Sequence, residues 1–128
     1  MSYPANYRYT KSHQWVLLEG QTASVGTTEY AQDTLGDIKF VELPNVGQTV
    51  QPDTAFGSIE SVKSVTDVFS PVSGEVAAIN EALKTKPELL NQDANDTWII
   101  KVAVKDATAG ETLSAAEYEQ FIAEESTT

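Results

Sequence analysis

Short runs rich in valine, isoleucine and threonine recur along the chain, separated by polar and turn residues. Successive side chains of a strand point to opposite faces, so apolar/polar alternation over roughly 4–8 residues marks a strand with one buried face. The pattern predicts strands at Trp15–Leu18, Thr22–Val25, Ile38–Leu43, Thr54–Glu60, Thr66–Ser70, Gly74–Ile79 and Trp98–Val104. Turn signals divide them at Leu18-Glu19-Gly20, Pro44-Asn45-Val46-Gly47, Gln51-Pro52-Asp53 and Ser70-Pro71. Short strands at this spacing predict a mainly β sandwich or barrel.

Two or three short helices interrupt the β pattern. "TTEYAQDTLG" begins on threonines suited to an N-cap and ends on Gly36, a C′ residue. "INEALKT" predicts a single helical turn. At the C-terminus Ser114 and Glu117 form a capping box, with Leu113 and Tyr118 placed as a hydrophobic staple. Tyr118, Phe121 and Ile122 then share one face. These signals predict a helix over about 114–124 and a fraying tail, "EESTT". A weak internal repeat matches Val41, Asn45, Pro52 and Asp53 to Val76, Asn80, Pro87 and Glu88 at constant offset. It puts similar β-units on either side of Lys63.

The 128 residues predict one domain, 1–128, with its core over about 13–105. Eight Lys+Arg against nineteen Asp+Glu leave a net charge of −11. That charge repels a phosphate backbone and an anionic membrane surface, so neither nucleic acid nor membrane is expected as a partner. The absence of cysteine excludes disulfides, thiol nucleophiles and thiolate metal sites. "MSYPANYRYTKSHQWV" has neither a signal-peptide apolar core nor an Arg-rich amphipathic pattern. The expectation is a soluble monomer in a bacterial-type cytoplasm, or in the mitochondrial matrix if a transit peptide has been removed.

Enzymatic motifs fail on inspection. His13 is the lone histidine, and no nucleophile-elbow pattern accompanies the serines. It suits a strand edge or a shallow cleft beside Trp15. "NQDANDT" looks like a calcium loop, but such a loop needs a glycine at its sharp turn and a closing bidentate glutamate. Asp96 and Val102 occupy those places, so a polar turn fits better. Gly26 and Gly36 have no phosphate-loop spacing. No catalytic or metal-ligating set emerges.

One stretch stands apart, "GSIESVKSVTDVFSPVSGEV". Two β-runs meet at Val62-Lys63-Ser64, yet the tip lacks the Asn-Gly, Asp-Gly or Gly-X of a tight hairpin. Glu60 and Asp67 flank the lysine in sequence, which places the ammonium among acids. A lysine so placed is well presented to an enzyme that grips a hairpin and acylates it.

Taken together, "HQWV", "VGTTEYAQDTLGDIKFVELPNVG", "ESVKSVTDVFSPVSGEV", "INEAL", "PELLNQD" and the acidic C-terminal helix resemble the H proteins of the glycine cleavage system. The resemblance spans nearly the whole chain. It implies a hybrid barrel-sandwich fold and a non-catalytic carrier bearing lipoate covalently on Lys63. It implies that Glu60, Ser61, Val62, Gly47 and Gly74 serve recognition by lipoyl-attaching enzymes. It further implies three enzyme partners. A glycine decarboxylase (P protein) loads an aminomethyl group on the arm. An aminomethyltransferase (T protein) removes it, and a dihydrolipoyl dehydrogenase (L protein) reoxidises the dithiol. A loaded arm would fold back to a cleft at Ser12, His13, Gln14 and Asp67.

Two departures matter. The family usually has Glu at the place of Gln14, and Pro-Tyr-Gly in the loop that here reads Ala94-Asn95-Asp96-Thr97. Hydrogen bonds to charged groups contribute about 1.5–3 kcal/mol, against roughly 0.5–1.5 for neutral pairs. Gln14 is therefore expected to weaken docking of a protonated amine by on the order of 1 kcal/mol, about fivefold in population. A lipoyl domain of a 2-oxoacid dehydrogenase is a rival reading, but the helices at 28–35 and at the C-terminus exceed its minimal sandwich. An H-like lipoyl relay and a self-standing enzyme are the others, and turnover of a substrate by the chain alone would single out the enzyme.

Overall fold

The computed structural model describes residues 6–11, 13–52, 54–93, 97–104 and 112–126. Nine strands and four helices follow in chain order among them: β1 (Arg8–Tyr9), β2 (Gln14–Glu19), β3 (Thr22–Thr27), α1 (Glu29–Leu35), β4 (Ile38–Glu42), β5 (Thr49–Val50), β6 (Ala55–Ser61), β7 (Val65–Phe69), β8 (Gly74–Ile79), α2 (Ala82–Thr85), α3 (Leu89–Asp93), β9 (Ile100–Val104) and α4 (Ala115–Ser126). The strands read from alternation are all present, with small shifts at their ends. The two-residue strands β1 and β5 and the short α3 were not expected. Two residues carry no alternation to read, and α3 lies at the edge of the segment read as a polar turn. The C-terminal helix runs to Ser126, past the start of the expected fraying tail. Asp53 of the repeat, the loop Ala94-Asn95-Asp96, and Thr127 and Thr128 lie outside the described residues.

All strand pairs are antiparallel and form two sheets. One has the order β1-β2-β3-β9-β8-β5, the other β4-β6-β7. The main core draws on both: Val16, Val25, Val76 and Val102 from the first, Val41, Ile59 and Val68 from the second. Leu35, Leu83 and Leu90 of α1, α2 and α3 join it. Val41 and Val76, matched in the repeat, are both buried but sit in different sheets. Among the described residues no helix is long and apolar enough to cross a membrane.

Strand β2 is buried on two faces, which its alternation alone does not announce. Val16 enters the main core, while Trp15 enters a second, aromatic cluster with Tyr7, Tyr9 and Tyr118. Tyr7 stacks on Trp15 with ring centroids 4.6 Å apart, and Tyr9 stacks on Tyr118 at 4.9 Å. Opposite Trp15 in the ladder is Gly26. A Cβ there would stand 2.5 Å from the indole, inside any permitted contact. Glycine is what lets the indole lie flat on β3.

Helix α4 closes the aromatic cluster and carries its capping box as read from the sequence. Ser114 N–H donates to Glu117 Oε1 at 2.9 Å, and Glu117 N–H donates to Ser114 Oγ at 3.2 Å. The bond from the Ser114 backbone, then that with its side chain, hold the Glu117 carboxyl below its ordinary 4.5, with a smaller contribution from the Arg8 charge.

Gly26→Ala is expected to destabilise the protein by about 1–3 kcal/mol through overpacking. Urea unfolding measures it, and loss of near-UV aromatic dichroism reports the broken stack. A second expectation concerns acid. A depressed carboxyl pKa contributes stability that is complete above 4.5 and lost as pH falls through the folded value. The melting-temperature gap between wild type and Glu117→Gln should therefore be widest near neutrality and close below pH 4.5.

Candidate functional site

The β6–β7 connection explains how the chain bends at Lys63 without glycine. Glu60 and Val65 face each other across the ladder, and Ser61-Val62-Lys63-Ser64 makes the turn. Ser61 N–H donates to Ser64 O at 2.8 Å. The Ser61 hydroxyl then takes three more bonds. It accepts from the N–H groups of Lys63 and Ser64, each at 3.2 Å, and donates to Ser64 O at 3.2 Å. A serine side chain that satisfies backbone groups ahead of it is a recognised turn device. Ser61 is buried at 8 % exposure, so its hydroxyl belongs to the turn.

The turn is anchored from outside as well. Val62 N–H donates to Asp37 O at 3.0 Å, in the connection between α1 and β4. Gly36 ends α1 at φ 77°, ψ −150°, a conformation that excludes side chains. Lys63 Cε passes 3.5 Å from where a Cβ on Gly36 would stand, so the methylene stem of the lysine lies over bare backbone.

Beyond that stem Lys63 is exposed. Glu60 and Asp67 are exposed too, and neither forms an ion pair with Lys63 among the described residues. The expected acid surround is thus near in sequence but is not a set of contacts. Strand alternation explains it: Glu60 and Asp67 stand with Phe40, Glu42, Ser58 and Val65 on the outer face of the β4-β6-β7 sheet. Val62, Val65 and Phe40 are all at least half exposed.

The other residues picked from the sequence fall elsewhere. Gly47, at φ 93°, donates its N–H to Val76 O at 2.8 Å beside β5. Gly74 pairs with Val50 and Val104, and a Cβ on it would strike the Ala103 carbonyl. Both glycines serve backbone geometry at the β5–β8–β9 edge, not at the Lys63 tip. Ser12 lies outside the described residues. Gln14 is 3 % exposed, and its Oε1 accepts from the Thr10 hydroxyl at 3.2 Å. Asp67 instead borders a shallow depression of about 250 Å³ with Glu42, Phe56 and Ser58. Neither described depression is lined by both Gln14 and Asp67.

His13 has a structural part that the sequence did not disclose. Its backbone sits at φ 69°. Nδ1 lies 2.8 Å from the Tyr118 hydroxyl, which lies 2.7 Å from the hydroxyl of Thr28. Thr28 also caps α1 by accepting from Ala31 N–H at 3.2 Å. The chain of polar groups fastens α4 to the start of α1, with the rings of Tyr30 and Phe121 against the imidazole.

The arrangement offers a primary amine on fixed backbone, reachable from outside. Its chemistry is that of a lysine open to acylation. Ser61→Ala should cost about 1–3 kcal/mol, because it removes three modest bonds and leaves two N–H groups without the hydroxyl. Amide exchange at Lys63 and Ser64 should rise far more than exchange in β2 or β9. Equal change in all three places would contradict this account of the turn.

Comparison with known proteins agrees over nearly the full length. The family model for the glycine cleavage H-protein matches residues 7–125. A glycine cleavage system H protein of Acidobacterium capsulatum is 52% identical over 126 residues, covering 98% of each chain. One from Bacillus mycoides is 50% identical over 118 residues, covering 91% of this chain and 93% of its own. The crystal structure of a glycine cleavage system H protein from Mycobacterium marinum superimposes with TM-score 0.87 at 33% identity, over 94% of this chain and 98% of that one.

Proposed function

The chain belongs to the glycine cleavage H-protein family, and on that premise we propose that Lys63 is the residue through which it works. Proteins of this family are the lipoyl carrier of the glycine cleavage system, and that is the function of this chain. The observation that carries the proposal is the tip itself: an exposed lysine whose backbone is bonded on both sides while its ammonium has no ion-pair partner among the described residues.

The residues present fit a covalent lipoyl group. Lys63 supplies a primary amine. Its ammonium would give up one proton to become nucleophilic. An N–C bond to the acyl carbonyl would form as the bond to the activated donor's leaving group breaks, and a second proton would leave the nitrogen of the amide. The positive charge disappears with it. No buried partner is stranded by the loss, because the ammonium has none at the tip. When bound, lipoate supplies the redox-active dithiolane. The chain supplies the mount: Ser61 closes the turn, Val62 ties it to Asp37, and Gly36 leaves room for the stem. Exposed Val62, Val65 and Phe40 give an attaching enzyme apolar surface, and Glu60 stands beside them as a charged handle. The chain is a carrier subunit and catalyses nothing alone. Its partners in this reading are the glycine decarboxylase, the aminomethyltransferase and the dihydrolipoyl dehydrogenase of the system.

Return of the arm to His13, Gln14 and Asp67 takes a narrower form than the sequence suggested. Gln14 is 3 % exposed, and Thr10 takes one of the two acceptor sites on its Oε1, so the arm reaches the other only if the side chains over it move aside. The side-chain amide resonances of Gln14 should shift on lipoylation if this occurs, and stay in place if the arm docks elsewhere.

Peptide mass spectrometry of protein from a lipoylating host should find the modification on Lys63. Modification on Lys39 or Lys84 with Lys63 bare would refute the assignment. Lys63→Arg keeps the charge but offers no acylable amine. It should abolish glycine decarboxylation in a reconstituted system and leave the melting temperature within about 2 °C, as is usual for exposed sites.

A further inference from the structure

We propose that Asn91 is a positioning residue for Lys63, an assignment that rests on reading Lys63 as the acylated lysine. Asn91 lies in α3, in a stretch whose sequence suggested only a polar turn. Its Oδ1 accepts from Ile38 N–H at 2.9 Å, and its Nδ2 donates to Gly36 O at 2.8 Å. One primary amide thereby holds the backbone groups on either side of Asp37. Only one orientation of the amide works. Flipping it would set two donors face to face and two oxygens face to face.

Asp37 is the residue whose carbonyl accepts from Val62 N–H, and Gly36 is the residue beneath the lysine stem. Bonded groups therefore run without a gap from α3, through 36–38, to the turn that carries Lys63. Gly36 gives that connection no side chain of its own with which to pack. Its N–H reaches back to Gln32 O, but its carbonyl depends on Asn91. Take Asn91 away and the Gly36 carbonyl and Ile38 N–H lose their partners together. The Asp37 carbonyl is then free to drift, and with it the external anchor of the turn. Acylation depends on the amine being held where the enzyme's reactive carbonyl waits, and small misplacements of reacting groups are costly in rate.

The test uses the full chain without lipoate. Asn91→Ala removes both bonds. Asn91→Asp is isosteric and keeps an acceptor for Ile38 N–H, but sets an oxygen against the Gly36 carbonyl. Val102→Ala, in the core at β9, serves as a control for general loss of stability. Two quantities are measured: the exchange protection of Val62 N–H, and the kinetics of acylation at Lys63 by a lipoyl-attaching enzyme, with kcat and KM separated. Both Asn91 variants should lose about tenfold in Val62 protection and about tenfold in kcat, with little change in KM. Val102→Ala, at comparable melting temperature, should leave both within about twofold of wild type. Unchanged Val62 protection in the Asn91 variants, or equal losses in Val102→Ala, would overturn the assignment. Failure of the wild-type chain to be acylated at Lys63 would instead overturn the reading beneath it.

Discussion

The hydroxyl of Ser61 closes a turn that glycine closes in most tight hairpins, and the presentation of Lys63 depends on that substitution. A glycine tip is easy to bend and equally easy to unbend. A serine bonded to Lys63 N–H, Ser64 N–H and Ser64 O fixes the backbone and leaves the lysine side chain exposed. Val62 N–H then ties the turn to Asp37, so the tip is held to the body of the protein and does not wave above it. In the reading proposed here the Lys63 side chain carries the function and moves, while the backbone beneath it is bonded.

The rest of the fold can be read as support for that mount. The main core joins both sheets and the inner faces of α1, α2 and α3, which fixes where α1 ends and β4 begins. The aromatic cluster does a different job. Through Tyr118, His13 and Thr28 it seats α4 against the start of α1. One helix is thus set at its N-terminus by the aromatic cluster and at its C-terminus, Gly36, by Asn91 and the Lys63 turn. Neither contact needs a buried charge, which suits a chain of net charge −11 whose acids can stay in water.

Much of this was legible in the sequence because it is local. Period-two alternation found the long strands, and the Ser114–Glu117 box found α4, since both patterns lie within a few residues. Lys63 stands out because its turn lacks glycine, and the serine that replaces it, Ser61, is the second residue of "ESVKS", a type whose hydroxyl can close a turn locally. What stayed hidden is what depends on distant pairs. Gln14 is polar and precedes the run read as a strand, yet β2 begins with it, both faces there are covered, and Thr10 bonds its amide. Gly47 and Gly74 sat at family spacings around the lysine, while their geometry belongs to another sheet edge. Asn91 gave no signal at all, because its meaning comes from backbone more than fifty residues away.

The claim that a rigid turn carries a mobile side chain is tested most directly by nitrogen-15 relaxation on the unlipoylated protein. The account predicts backbone order parameters for Val62 and Lys63 near those of β6 and β7, about 0.85. Carbon-13 relaxation at the Lys63 Cε should show fast motion in a doubly labelled sample. Backbone values for Val62 and Lys63 below about 0.6 would mean that the turn itself swings, and would contradict the account.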